Sequence, residues 1–183
     1  MAAIQQLLLM GATQKTYVTW NPSDKGANTA LSGGNLVVTS SSSWGGVRGT
    51  ISKSTGKWYF EVYCNNAPLG GYVMIGISTS SPNLDTWGST TSSWTYYSRG
   101  DIFGYGSYGA TYVTGDTIGV AIDFDADTIT FYKNNISQGI VNITASQVWF
   151  PSAFTYTSAQ VTANFGATAF TYSPPVGYNA GLY

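Results

Sequence analysis

From residue 15 onward, short runs rich in Val, Ile, Thr, Tyr and Phe recur along the chain, each closed by a cluster of Gly, Asn, Asp or Ser. This punctuation constrains the fold more than any other feature. β-Branched and aromatic side chains favour extended backbone, whereas Gly, Asn and Asp divide it into turns. Strands are expected at 15–20, 35–39, 57–63, 72–78, 117–123, 128–133, 160–165 and 168–172. Runs of this length and spacing predict an all-β domain, a two-sheet antiparallel β-sandwich. The 183 residues suit one such domain, enough to bury about two-thirds of the unfolded surface. A single domain is therefore expected over 15–183, preceded by a short helical or extended anchoring segment at 1–14.

Two runs show how the core is built. Alternation over 57–63 sets Trp58, Phe60 and Val62 against Tyr59, Glu61 and Tyr63; over 117–123 it sets Ile118, Val120 and Ile122 against Thr117, Gly119 and Ala121. Small residues such as Gly119 and Ala121 are read as packing positions, where a bulky ring or another backbone comes close. The lone cysteine, Cys64, can form no intrachain disulfide and is expected to fill the interior.

The search for chemistry returns mainly exclusions. Charged residues make up only 8% and the net charge is −1, so no electrostatic drive toward nucleic acid or anionic lipid exists. Ser and Thr supply roughly a quarter of the chain, which predicts a surface of hydroxyls, amides and aromatic edges. The absence of histidine rules out Ser-His-Asp and Cys-His catalysis and removes the commonest zinc ligand. A carboxylate pair remains open, but Glu61, the only glutamate, sits in mid-strand and is expected to pair with Arg48 or Lys57. The alternating carboxylates Asp123, Asp125 and Asp127 resemble a calcium loop, yet Thr128 and Asn134 occupy the places where Gly and Glu are required. They are read as turn residues, as are Asn134 and Asn135. The letters G-x-G-x-x-G at 104–109 are followed by no helical pattern and cradle no phosphate. No metal, cofactor or catalytic residue is expected.

The apolar run within 1–10 has no basic residue ahead of it and is too short to span a bilayer. Neither a signal peptide nor a membrane span is expected, which places synthesis in the cytoplasm.

The order of the motifs carries a resemblance. Val47-Arg48-Gly49-Thr50 is followed by Gly56-Lys57-Trp58-Tyr59-Phe60-Glu61-Val62, Ile75-Gly76-Ile77 and Ser93-Trp94. Then come Gly115-Asp116-Thr117-Ile118-Gly119-Val120, Asp123, Phe131-Tyr132, Phe150-Pro151 and Asn164-Phe165-Gly166. Together, over roughly 35–166, this series resembles the SPRY (B30.2-like) domain, a concanavalin A-like sandwich that binds partners. The chain departs from the family at Asn134-Asn135, where Asn-Gly is usual, and in the Tyr-rich loop after Trp94, itself expected in the core. The resemblance implies a site at one rim of the sandwich. Its loops here offer Trp44, Arg48 and Lys53, then Trp87, Tyr96, Tyr97 and Arg99, then Tyr156, with aromatic rings that bury area at low entropic cost.

Three functions follow as expectations. The first rests on residues 1–12, which resemble the amino-terminal segment of small tailed-phage virion proteins: a non-enzymatic capsid-decoration or tail component, located in the virion. Its partners would be other virion proteins, further copies of the chain, and a glycan or protein of the host surface. The second is an intracellular SPRY adaptor that binds a short peptide through the same rim. The third, a glycan-active enzyme, is disfavoured by the missing histidine and the single glutamate.

Overall fold

The computed structural model describes residues 14–69, 72–88, 91–144 and 147–183. The expected anchoring segment therefore lies, but for residue 14, outside the described residues. Among the described residues, fifteen strands run in chain order: β1 Trp20–Lys25, β2 Thr29–Ser32, β3 Val37–Ser40, β4 Gly45–Gly49, β5 Lys57–Asn66, β6 Val73–Ser78, β7 Ser93–Tyr97, β8 Asp101–Ile102, β9 Gly106–Ser107, β10 Thr117–Asp123, β11 Thr128–Lys133, β12 Ile136–Asn142, β13 Phe150–Thr155, β14 Gln160–Asn164 and β15 Asn179–Ala180. They form two sheets, ordered β1-β4-β13-β6-β7-β8-β9 and β12-β11-β10-β5-β14-β3-β2, with β15 added beside β5. All pairings are antiparallel except β15 with β5. The expected all-β, two-sheet sandwich is the observed fold.

The core lies between the sheets. Phe60, Val62, Ile118, Val120, Ile122 and Phe131 from one sheet meet Val47, Val73, Ile75, Ile77, Tyr96 and Ala153 from the other. Trp20 is fully buried, its ring edge-on to Phe165 at 4.9 Å and its indole N–H donating to the Leu36 carbonyl at 3.0 Å. Truncating such a ring to alanine costs about 3–5 kcal/mol. Cys64 occupies this core, as expected, and burial pushes its thiol up to about 12.

The small-residue reading also holds. A Cβ on Gly119 would stand 2.5 Å from the Tyr59 hydroxyl, and one on Gly76 would collide with the Trp94 carbonyl of the neighbouring strand. Asn134 and Asn135 both adopt positive φ, 47° and 67°, and turn β11 into β12. The Asp123 carboxylate accepts the N–H groups of Asp125 and Ala126, forming the expected turn.

Three expectations are corrected. The strand placed at 15–20 begins only at Trp20, because the preceding residues are tied to the chain's last residues, with the Val18 N–H donating to Leu182. Residues 168–172 form no strand; they cross β5, where Phe170 meets the Tyr59 ring edge-on at 5.2 Å and the Thr171 and Tyr172 N–H groups reach Glu61. Glu61 pairs with neither Arg48 nor Lys57. It is 2% exposed and accepts the Thr171 N–H at 2.7 Å, the Tyr172 N–H at 2.9 Å and the Tyr59 hydroxyl at 3.0 Å. Arg48 pairs instead with Asp24, and Lys57 with Asp123.

Candidate binding rim

One end of the first sheet gathers the start of β4, the end of β13, the start of β6 and the end of β7. Register fixes this gathering: Gly45 lies opposite Thr155, Thr155 opposite Val73, and Met74 opposite Tyr97. The loops that leave these positions therefore emerge side by side. They are joined by main-chain bonds, from Tyr156 N–H to the Tyr72 carbonyl at 3.0 Å and from Ser158 N–H to the Ser41 carbonyl at 3.0 Å. Thr157 and Ser158 both take positive φ, 48° and 62°, and close a tight turn after Tyr156.

The rings on these loops form a row. Tyr72 stacks on Tyr156 at 5.4 Å with planes 13° apart, and Tyr156 stacks on Trp44 at 5.3 Å. Trp44 meets Tyr97 edge-on at 6.1 Å, and the Arg99 guanidinium lies 4.3 Å from the centre of the Tyr97 ring while pairing with Asp101 at 3.4 Å. Burial, opposed by Arg99, raises the Tyr97 phenol above its ordinary value. Each ring pair adds about 0.5–1.5 kcal/mol beyond its buried area, so the row is a stiff surface.

A second layer flanks the row. Met74, Phe154 and Tyr97 project from the outer face of the first sheet and are covered by Leu84 from the segment between β6 and β7. Arg48 holds this segment in place. Its Nε donates to the Thr79 carbonyl at 2.7 Å, its Nη2 to the Pro82 carbonyl at 2.5 Å and its Nη1 to Asp24 at 2.7 Å. Gly46 N–H donates to the Leu84 carbonyl at 2.6 Å, and Ala27 N–H to Asp85 Oδ1 at 2.6 Å. This anchored segment raises Trp87, which is 58% exposed, beside a groove of about 300 Å³ lined by Ser43, Trp44, Asp85, Thr86 and Trp87.

Of the residues expected at the rim, Trp44, Trp87, Tyr97, Arg99 and Tyr156 come together, with Tyr97 largely beneath the surface. Three do not offer contacts there. Tyr96 is fully buried, because the aromatic stretch read as a loop is strand β7, with Tyr96 facing the sandwich core. Arg48 is 3% exposed, its guanidinium consumed by the loop it anchors. Lys53 lies at the opposite end, where its amine donates to the Tyr183 main-chain oxygen at 2.5 Å and sits 4.0 Å from the Trp58 ring centre. Trp94, expected in the core, is buried there. Sequence reading missed Tyr72, the first rung, and Asp85, in the groove wall. Both carried a signal: Tyr72 is the first residue of the strand expected at 72–78, and Asp85 stands two residues from Trp87.

Comparison with known proteins gives a consistent picture. Residues 57–168 match the SPRY domain family model, well over half the chain. Ran-binding protein 9 of Xenopus tropicalis is 34% identical over 173 residues, covering 84% of this chain and 31% of that protein. ATP-dependent RNA helicase DDX1 of Xenopus laevis is 29% identical over 189 residues, covering 93% of this chain and 24% of that protein. The chain thus spans about a quarter to a third of the length of these curated relatives. Among solved structures, the SPRY domain of human HERC1 superposes with a TM-score of 0.69 at 18% identity, covering 79% of this chain and 96% of that one.

Proposed function

The chain belongs to the SPRY family, and from that premise we propose that it is a binding module holding a peptide segment of a partner protein against its aromatic rim. The observation that carries this reading is the stacked row Tyr72, Tyr156 and Trp44, built from three separate loops and continued by the exposed Trp87. A peptide laid across such a surface buries area on side chains that have little rotamer freedom left to lose. Similarity to Ran-binding protein 9 favours this adaptor reading over a virion component. The lack of histidine and the engagement of Glu61 by main-chain N–H groups weigh against glycan chemistry.

The test is selection of a displayed random-peptide library on the immobilised protein. Recurrent sequences should emerge, and Trp87→Ala and Tyr156→Ala should each weaken the selected peptide at least about tenfold, as expected for aromatic anchors. Trp87→Ala should leave the melting temperature unchanged, since among the described residues its ring stacks on no other. Equal binding by both variants would refute the reading.

A further inference from the structure

We propose that the groove between Trp44 and Trp87 is a receptor for one basic side chain, a lysine or arginine of the bound peptide; this rests on the rim reading above. Two indoles and the carboxylate of Asp85 line the groove. Aromatic faces carry negative charge in their quadrupole and attract cations, most strongly for Trp. Asp85 adds a full negative charge, so an anionic side chain is repelled and a neutral one gains nothing from it.

The charges of the chain leave this place unfilled. Asp24, Asp101, Asp116 and Asp123 each have a Lys or Arg partner, and Glu61 is met by main-chain N–H groups and a hydroxyl. Asp85, like Asp125 and Asp127, has no ion-pair partner among the described residues, and of these three it is the one that lines the groove with Trp44 and Trp87. Among the described residues it accepts from the Ala27 N–H at 2.6 Å, which uses part of what a carboxylate can accept. The protein itself shows how it solvates cations: Lys15 sits 3.7 Å from the Tyr183 ring centre, Lys53 4.0 Å from that of Trp58, and Arg99 4.3 Å from that of Tyr97. Trp87, more exposed than any other ring named at the rim, carries no such cation among the described residues. The Asp85 carboxylate and the exposed Trp87 face together are complementary to a basic group supplied by the partner.

Asp85→Asn isolates the claim, because the asparagine side-chain carbonyl can still accept from Ala27 and keep the loop in place. Random-peptide selection is run on the wild type and on Asp85→Asn. The selected peptide is then titrated against both, alongside versions with citrulline or norleucine at the basic position. Wild-type selections should share one Lys or Arg. Replacing it by citrulline, or Asp85 by Asn, should weaken binding about tenfold, equivalent to about 1.4 kcal/mol. In the complex the Trp44 and Trp87 indole N–H resonances should both move. A consensus without a basic position, or equal affinity for the citrulline peptide, overturns the receptor and leaves the rim reading standing. Failure to enrich any peptide overturns both.

Discussion

Arg48 separates a residue that builds the rim from one that touches a ligand. Its three guanidinium nitrogens reach Thr79, Pro82 and Asp24 at 2.5–2.7 Å, and it is 3% exposed. In Arg48→Lys a single ammonium can keep one of these contacts, so two charge-assisted hydrogen bonds are lost. At about 1.5 kcal/mol each, the low end for such bonds, the loss is about 3 kcal/mol. For a domain of this size that lowers Tm by about 6–12 °C. Scanning calorimetry measures the shift, and the Trp87 indole resonance reports whether the loop has loosened. A shift under about 2 °C, within the range of ordinary surface substitutions, would refute the anchoring role. Loss of peptide binding with Tm intact would make Arg48 a ligand contact after all.

Three further outcomes are expected. Glu61→Gln turns one acceptor oxygen toward main-chain donors into an NH₂ group, so it should destabilise by about 2–3 kcal/mol and expose the 168–172 segment to hydrogen exchange, read by mass spectrometry. Cys64 should resist iodoacetamide at pH 8 in the native state and react in guanidinium, since burial raises its thiol to about 12; equal rates would place it at the surface. Burial works to raise the Asp123 carboxyl, but the Lys57 amine and the N–H groups of Ala126 and Asp125 outweigh it and hold the carboxyl below its ordinary value. Its contribution is therefore present above the ordinary carboxylate pKa and lost as pH falls through the lowered one. Asp123→Asn should melt lower than the wild type at pH 7, with the gap closing below about pH 4. A gap independent of pH would contradict this.

Legibility followed locality. Strands β10 and β11 and the turn at Asn134-Asn135 were readable because alternation and turn chemistry lie within a few residues of each other. Strands β4 and β7 were not. Gly45, Gly46 and Gly49 look like turn residues, yet a Cβ on Gly46 would stand 2.5 Å from the Phe154 ring and one on Gly49 2.6 Å from Pro151, so close packing requires them. Every residue of β7 is buried, since the segment between β6 and β7 covers the outer face, and no alternation survives. The rim divides the same way. Trp44, Trp87, Arg99 and Tyr156 were legible as ring-bearing or cationic residues in loops. Arg48 was misplaced because the carbonyls it holds belong to that covering segment, and Tyr96 because it faces the core, against Tyr108, Tyr112 and Phe131. Lys53 was misplaced because its partner, Tyr183, lies 130 residues away.

If the aromatic rim holds the ligand, binding must perturb the rim before any other surface. The most direct test is a chemical-shift map of the ¹⁵N-labelled protein with a library-selected peptide. The largest changes should fall at the Trp44 and Trp87 indoles and at the backbone of 41–46, 84–88 and 156–159. Changes centred on the exposed Ile136 and Ile140 of β12, or on Lys53 and Tyr183 at the far end, with the rim unmoved, would contradict it.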